Sequence, residues 1–549
     1  MAGTKLADLA TELTAPTFED LLYVVTDPEG TPADRKMTIR TLRQHYNVMD
    51  YGAVADGSTD DLAAFQAAVA AAVAASGGVV YVPVGTYRLS ARLDITTGVS
   101  LIGQDMTMTR LVLDHNAELL MDAWAILCGA TGADHTDIHL ANFSVYASNN
   151  IDPASPITQH SVVGFERVTR CSARNIYLYN GSAGIQLKNC EQFVIDNILA
   201  ENLRDYTLAF LSTTRYGVVS NVTCKQVGEV LDFGPGNSDI AVSNVQAYGN
   251  YPDREEEAID FAGASRITIT NAMIYGDWRV GVNLKWERDS TPSDCTFENV
   301  QLYLTNTALS RGFFFVCSAP PEPEFHNIRL INCVAECAGT ANDRGAICGT
   351  TKLRIDGLFV QGGRYHAGRQ TIDCASDTAV WMKNVVFDGV TVTGDVTQSA
   401  GFGIALANCY APVIRNCRVG PVGNAGVFIK YDSTAGLDAT QKIVGAIIDN
   451  NMIQNHGGQT ASAAIYVYFG TIDAAETYNC LRICGNTIVH DNDAALHTTH
   501  DGIKIELGDL AGLDYVKIDN NLIYRIPDVL DYAALGGNST EANNTTYEA

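Results

Sequence analysis

Apolar and polar residues alternate in short runs along most of this chain, and helical periodicity appears over one long stretch only. Leu62, Phe65, Val69 and Val73 recur at helical spacing between about Asp60 and Ala75, behind a turn cluster in which Ser58 and Asp61 stand at capping-box distance. The pattern predicts one amphipathic helix, closed by Gly77-Gly78, and then short strands at Val79–Val82 and Thr86–Leu89. Ahead of the helix, Leu21–Val25 and Lys36–Ile39 flank a turn-rich stretch from Asp27 to Pro32, which predicts a small hairpin module.

From residue 99 onward a unit recurs: Asn followed by alternating apolar residues, as in Asn175-Ile-Tyr-Leu178, Asn197-Ile-Leu199, Asn221-Val-Thr223, Asn244-Val-Gln246, Asn271-Ala-Met-Ile274 and Asn299-Val-Gln-Leu302. It continues through Asn327, Asn384, Asn416, Asn451, Asn486 and Asn521. A second element, Gly184-Ile-Gln-Leu187, Gly281-Val-Asn-Leu284, Gly403-Ile-Ala-Leu406 and Gly426-Val-Phe-Ile429, precedes many of these units, so each period holds two or more strands. Strands too short to stand alone, repeating without crossover helices, bury their apolar sides best by coiling into stacked rungs. The fold class predicted is all-β: a parallel β-helix of about fourteen rungs, about 65–70 Å long. Asn suits the corners because it tolerates left-handed backbone angles and its amide can bond from rung to rung. A propeller or sandwich would need Asn-Gly or Asp-Gly hairpins, which are scarce here. The reading divides the chain into an anchoring segment 1–46, a cap 47–103, a β-helix 104–527 and a tail 528–549.

Composition then excludes several partners. With 46% hydrophobic and 18% charged residues the chain can build a large core, and its net charge of −26 argues against a nucleic-acid partner. The run from Leu62 to Ala75 is too short for a membrane span. Met1–Leu13 has neither a basic nor an apolar signal region, so folding in a reducing cytoplasm is expected, with most of the fourteen cysteines as buried thiols. No metal or other cofactor is called for, because neither the cysteines nor the histidines have ligand spacing.

The stretch Asp50-Tyr-Gly-Ala-Val-Ala-Asp-Gly-Ser-Thr-Asp-Asp61, Phe65-Gln-Ala-Ala68, Gly77-Gly-Val-Val-Tyr-Val-Pro-Val-Gly-Thr-Tyr87 and Val99-Ser-Leu-Ile-Gly103 resembles the opening motif of pectate-lyase-like right-handed β-helices. Leu13-Thr-Ala-Pro16 with Asp20–Val25, Asp27-Pro28 and Lys36–Ile39 resembles particle-anchoring segments of bacteriophage tail proteins. Together the resemblances imply a tailspike or tail fibre. Such a protein is a homotrimer fixed to other tail or baseplate proteins of the virion through residues 1–46, with a β-helix that binds, and often cleaves, a bacterial surface polysaccharide.

Catalytic candidates come from aligning the rungs. Asp232, in Val230-Leu-Asp-Phe233, and Asp260, in Ala258-Ile-Asp-Phe261, fall at the same place in successive rungs, with Asn283 next; strand alternation turns these side chains outward. Two carboxyls on adjacent rungs, about 4.8 Å apart at the backbone, can divide into an acid and a carboxylate, as glycoside hydrolysis requires. Glu257 and Glu287 are the substitute acids. Tyr251, Trp278 and Trp286 are the candidate sugar-stacking platforms, joined by Tyr248 and Tyr275, while Arg254, Arg279 and Asn283 would hold hydroxyls or carboxylates. Three activities fit: an endoglycosidase, a polysaccharide lyase, and a fibre that binds without cleaving. The acidity of the chain favours neutral glycans.

Overall fold

The computed structural model describes residues 21–25, 34–38 and 45–547, apart from 114–122, 130–131, 148–159, 253–256, 288–289, 317–323, 339–343, 351–352, 376–381, 398–400, 433–443, 455–462, 471–479, 491–500, 509–514, 525, 527 and 533–538. Leu21–Val25 pairs antiparallel with Asp34–Thr38, the hairpin expected from the sequence.

From His45 on, the strands pair in parallel with strands one rung away, which makes the predicted solenoid. Each rung has three sides. In a representative rung, Ser238–Asn250 bends at Asn244, giving residues 240–243 to sheet 1 and residues 245–250 to sheet 2, and Glu257–Ala262 forms sheet 3. Asn244 itself drops out of the ladder and takes a left-handed φ of 57°. Asn175, Asn197, Asn221, Asn271, Asn299, Asn327, Asn384 and Asn416 do the same. Their amides link successive rungs, as in Asn197 to Asn175 at 2.8 Å and Asn299 to Asn271 at 3.2 Å.

The last three units depart from that expectation. There the left-handed corner belongs to Asn450, Gly485 and Asn520, while Asn451, Asn486 and Asn521 turn inward and are buried. Each inward amide donates to a backbone carbonyl and accepts from the preceding rung; Asn486 Nδ2 donates to Ile448 O at 2.8 Å, and Asn486 Oδ1 accepts from Asn451 N at 2.9 Å. A buried amide persists only when both its donor and its acceptor are satisfied, and this ladder satisfies both.

The helix spans Leu62–Ala74 and covers the N-terminal end of the solenoid with Ala64, Phe65, Ala68, Val69 and Ala72, Phe65 meeting Tyr87 edge-on at 5.4 Å. The capping box is not formed. Asp61 is buried and its carboxylate instead accepts from Val54 N at 2.7 Å and Ala55 N at 3.3 Å, pinning the preceding loop. Rungs also continue past residue 527, where the sequence reading ended them: Asp528–Tyr532, Thr540–Ala542 and Thr545–Tyr547 all pair with the rung before.

Inside, a column of rings fixes the register around residue 232. Phe193, Phe210, Phe233 and Phe261 stack with centroids 5.5, 5.0 and 4.8 Å apart, all of them buried. A slip by one residue would expel these rings to solvent, so their burial holds the outward positions beside them in place.

Candidate functional site: a stack of carboxyls on sheet 3

Asp232 and Asp260 are direct partners in the parallel ladder, and Asn283 follows Asp260 on the next rung. The apolar neighbours of the two acids, Leu231, Phe233, Ile259 and Phe261, are in the core, so alternation puts both carboxyls outside. Asp260 is nevertheless only 6% exposed. Neighbours on the next rung cover it: Lys285 Nζ lies 2.6 Å from Asp260 Oδ2, and Asn283 Nδ2 donates both to Asp260 Oδ1 at 3.1 Å and to Glu257 Oε1 at 3.0 Å.

Two more acids complete the cluster. Glu229 precedes Asp232 by three positions as Glu257 precedes Asp260, in Glu229-Val-Leu-Asp232 and Glu257-Ala-Ile-Asp260. Strict alternation would turn the first residue of each motif opposite to the last. The consecutive buried pairs Val230-Leu231 and Ala258-Ile259 break the alternation and return both Glu residues to the side of the Asp.

Electrostatics follow from this crowding. Loss of solvent, then the charges of Asp232, Asp205, Asp260 and Glu257, push the Glu229 carboxyl well above the usual carboxylate range. Loss of solvent and the Asp260 charge raise Asp232 to about 8, against the opposing pull of Lys285. Asp260 is raised by burial too, but Lys285 and Asn283 hold it down to about 6. Burial works against the Lys285 charge, yet Asp260, Glu257 and Glu287 outweigh it and keep the ammonium above its ordinary range. Asp232 therefore holds its proton to higher pH than Asp260, which the Lys285 ammonium favours in its charged form, the division of labour that one acid and one base or nucleophile need.

Other sequence candidates fall in different places. Glu257 is half-buried inside the cluster, and half-buried Glu287 acts on both Asp232 and Lys285. Tyr251 and Trp286 are half-buried at the two strand ends flanking the site, and Arg279 is exposed. Arg254 lies outside the described residues. Trp278 does not present a face to any ligand: it is fully buried, packs against Gly276, and donates from Nε1 to Gly228 O at 2.6 Å. A side chain at Gly276 would meet that ring at 2.6 Å, so the small residue is what admits it. Tyr248 and Tyr275 are exposed, but they stack on sheet 2, around a corner from the acids. Three functional candidates were missed. Glu229 was legible as the repeated Glu-x-x-Asp spacing. Lys285 and Phe314 needed the rung register, which sets Phe314 beside Asn283 with Arg311 4.3 Å above its ring.

Residues 45–305 match the family described as rhamnogalacturonase A/epimerase, pectate lyase-like. Among curated proteins, the mannuronan C5-epimerase AlgE5 of Azotobacter vinelandii is 26% identical over 266 residues, 45% of this chain and 26% of that protein. Alginate lyase 7 of the same organism is 34% identical over 105 residues, covering 18% of this chain and 12% of that one. The matches thus span about a quarter or less of these relatives. Among solved structures, the N-terminal fragment of bacteriophage Phi29 gene product 12 superposes with a TM-score of 0.55 at 15% identity, over 90% of this chain and 80% of that one. Among the described residues no helix is long and apolar enough to cross a membrane. The fold is a right-handed parallel β-helix, and residues 45–305 of it are similar to the pectate lyase-like family.

Proposed function

We propose that the chain is a phage tailspike-type protein that binds a bacterial surface polysaccharide and hydrolyses it, as a homotrimer held to the virion tail through residues 1–46. The observation that carries the hydrolytic reading is the direct stacking of Asp232 on Asp260 with Lys285 bonded to the second. In this reading Asp232 is the general acid toward the glycosidic oxygen and Asp260 is the carboxylate that activates water or attacks the anomeric carbon. Asn283 and Lys285 position Asp260. Loss of the proton from Asp232 to the leaving sugar is compensated locally, because the developing carboxylate faces the same ammonium.

A second reading, a lyase or epimerase acting on a uronate polymer, is favoured by the similarity to a mannuronan C5-epimerase and an alginate lyase. The two differ in product. The full chain would be incubated with a panel of purified capsules, O-antigens, exopolysaccharides and polymannuronate. New reducing ends without ultraviolet absorption are expected; unsaturated, ultraviolet-absorbing ends would establish a lyase, and changed sugar stereochemistry without shortening an epimerase. Retention of a glycan with no change to it would leave the non-cleaving fibre. Sedimentation of a stable monomer at micromolar concentration would overturn the trimer, and particles that incorporate a chain starting at Asn47 would overturn the anchor.

A further inference from the structure

The outward column that carries the acids changes character farther along the rod. From Asp260 it runs through Asn283, Phe314, Cys348, Asp373 and Ala405 to Phe428, then Tyr466. Phe428 is six rungs from Asp260, about 29 Å along the same face. There the rings form an exterior stack: Phe402 on Phe428 with centroids 5.0 Å and planes 20° apart, and Phe428 on Tyr466 at 5.1 Å. All three are half-buried, none belongs to the core, and so part of each ring faces outward.

The rim of this stack is polar. Tyr466 Oη donates to Glu506 at 2.6 Å, and Lys504 Nζ stands 5.7 Å from the Tyr466 ring. Lys430 Nζ stands 5.9 Å from the Tyr468 ring and 2.7 Å from Asp432. Flat rings edged by donors and acceptors match a pyranose, which has an apolar C–H face and a hydroxyl perimeter. Charge selects the kind of sugar. Lys430 pairs with Asp432, and Lys504 lies 3.8 Å from Glu506 and 3.6 Å from Asp531, so neither of these two lysines is left over for a uronate or phosphate. An apolar protein partner would have to bury these ion pairs, at a desolvation cost that a hydroxylated ligand avoids.

We propose that Phe402, Phe428 and Tyr466 form a holding platform for uncharged pyranose residues, binding the polysaccharide several sugars away from the acids on the same face. The inference rests on the functional reading above for the identity of the ligand. Its test is separate, because it measures binding and not cleavage. The full chain would be run in native gels containing each polysaccharide of the panel, as wild type, as Phe428→Leu/Tyr466→Leu, and as Asp232→Asn. Leu keeps the apolar volume and removes the flat face. The double variant is expected to weaken retardation by at least about tenfold with unchanged melting and sedimentation, while Asp232→Asn binds as wild type does. On oligosaccharides too short to reach from the acids to the rings, the double variant should keep the wild-type kcat and KM. Undiminished retardation of the double variant, or no retardation of the wild type by any neutral glycan, would overturn the platform, as would a changed sedimentation coefficient with binding intact, which would make the stack a subunit contact. Cleavage lost in Asp232→Asn alongside full binding by the double variant would sink this inference and leave the hydrolytic reading standing. Binding lost in the double variant when the wild type cleaves nothing would do the reverse.

Discussion

Outward acids at two places on this rod are treated in opposite ways by the neighbouring rungs. At the corner leading into sheet 1 two acids meet an arginine from the next rung: Asp137 with Arg170 through two bonds of 2.7 Å, and Asp239 with Arg266 at 2.7 and 2.9 Å. Hydrogen bonds from Arg170 hold Asp137 down to about 2, and those from Arg266 hold Asp239 below the usual carboxylate range. On sheet 3 the residue above an acid is another acid, and the shared Lys285 bonds to only one of the pair. The same repeat spacing therefore yields a neutralised surface in one place and a proton-retaining cluster in the other. Stacking alone is not the signal of a site; stacking without a countercharge on every rung is.

The largest test of this contrast is substitution of each kind of acid by its near-isostere. Asp232→Asn and Asp260→Asn should each lower polysaccharide cleavage by roughly 10²–10⁴-fold with glycan binding retained, whereas Asp239→Asn should leave the rate within about twofold, since a surface pair contributes little. Reducing-end release on one cleaved glycan measures all three. Equal rates across the set would dissolve the distinction.

A pH profile sharpens it next. With Asp260 at about 6 and Asp232 at about 8, the productive form of the pair exists between those values. Cleavage should fall about tenfold per unit beyond either side, the two limbs belonging to the pair and not to one residue. Lys285→Met should move the acidic limb upward by roughly one to three units, because Asp260 loses the cation that stabilises its charge. A limb that stayed in place would mean that Lys285 does not set it.

How much of this was legible in the sequence depends on which contacts decide each feature. The solenoid, the cap helix and the outward setting of Asp232 and Asp260 follow from local periodicity and rung spacing, which short strands express directly. Glu229 escaped because Val230 and Leu231 are both buried and break the alternation from which facing was read. Trp278 was placed outside on residue type, but the small Gly276 opens a pocket for it at a corner, where no period-two rule applies and Gly228 O accepts its N–H. Asn451, Asn486 and Asn521 read like the corner residues of earlier rungs, and a shift of one position makes them an interior ladder instead.

Stability should also separate the two kinds of acid. Asp232 and Asp260 have folded values above the unfolded 3.8, so between about pH 4 and pH 8 the folded chain holds protons that the unfolded chain releases. Their effect is thus a loss of stability as pH rises through that window. Asp232→Asn removes one such group, and its melting temperature should gain on the wild type as pH is raised from 4 to 8.5. Calorimetry showing a constant offset over that range would mean that Asp232 is not held protonated.

The smallest effect is expected where the acids are already neutralised. Arg266 and Asp239 keep 55% and 29% of their side-chain surface in contact with solvent, so water and salt screen their attraction and the ordering of two long side chains offsets much of it. Arg266→Ala should cost no more than about 1 kcal/mol, and the difference should vanish in molar salt. Because Asp239 is held below its unfolded value, that contribution is present above about pH 4 and fades as the pH falls through the folded value, opposite in sign to the effect of Asp232. If chemical denaturation showed a loss of several kcal/mol that survived salt, the arginine pairs would be part of what holds the rungs together. The acids of sheet 3 would then differ from them in degree only, and the missing countercharge would no longer distinguish a site from a surface.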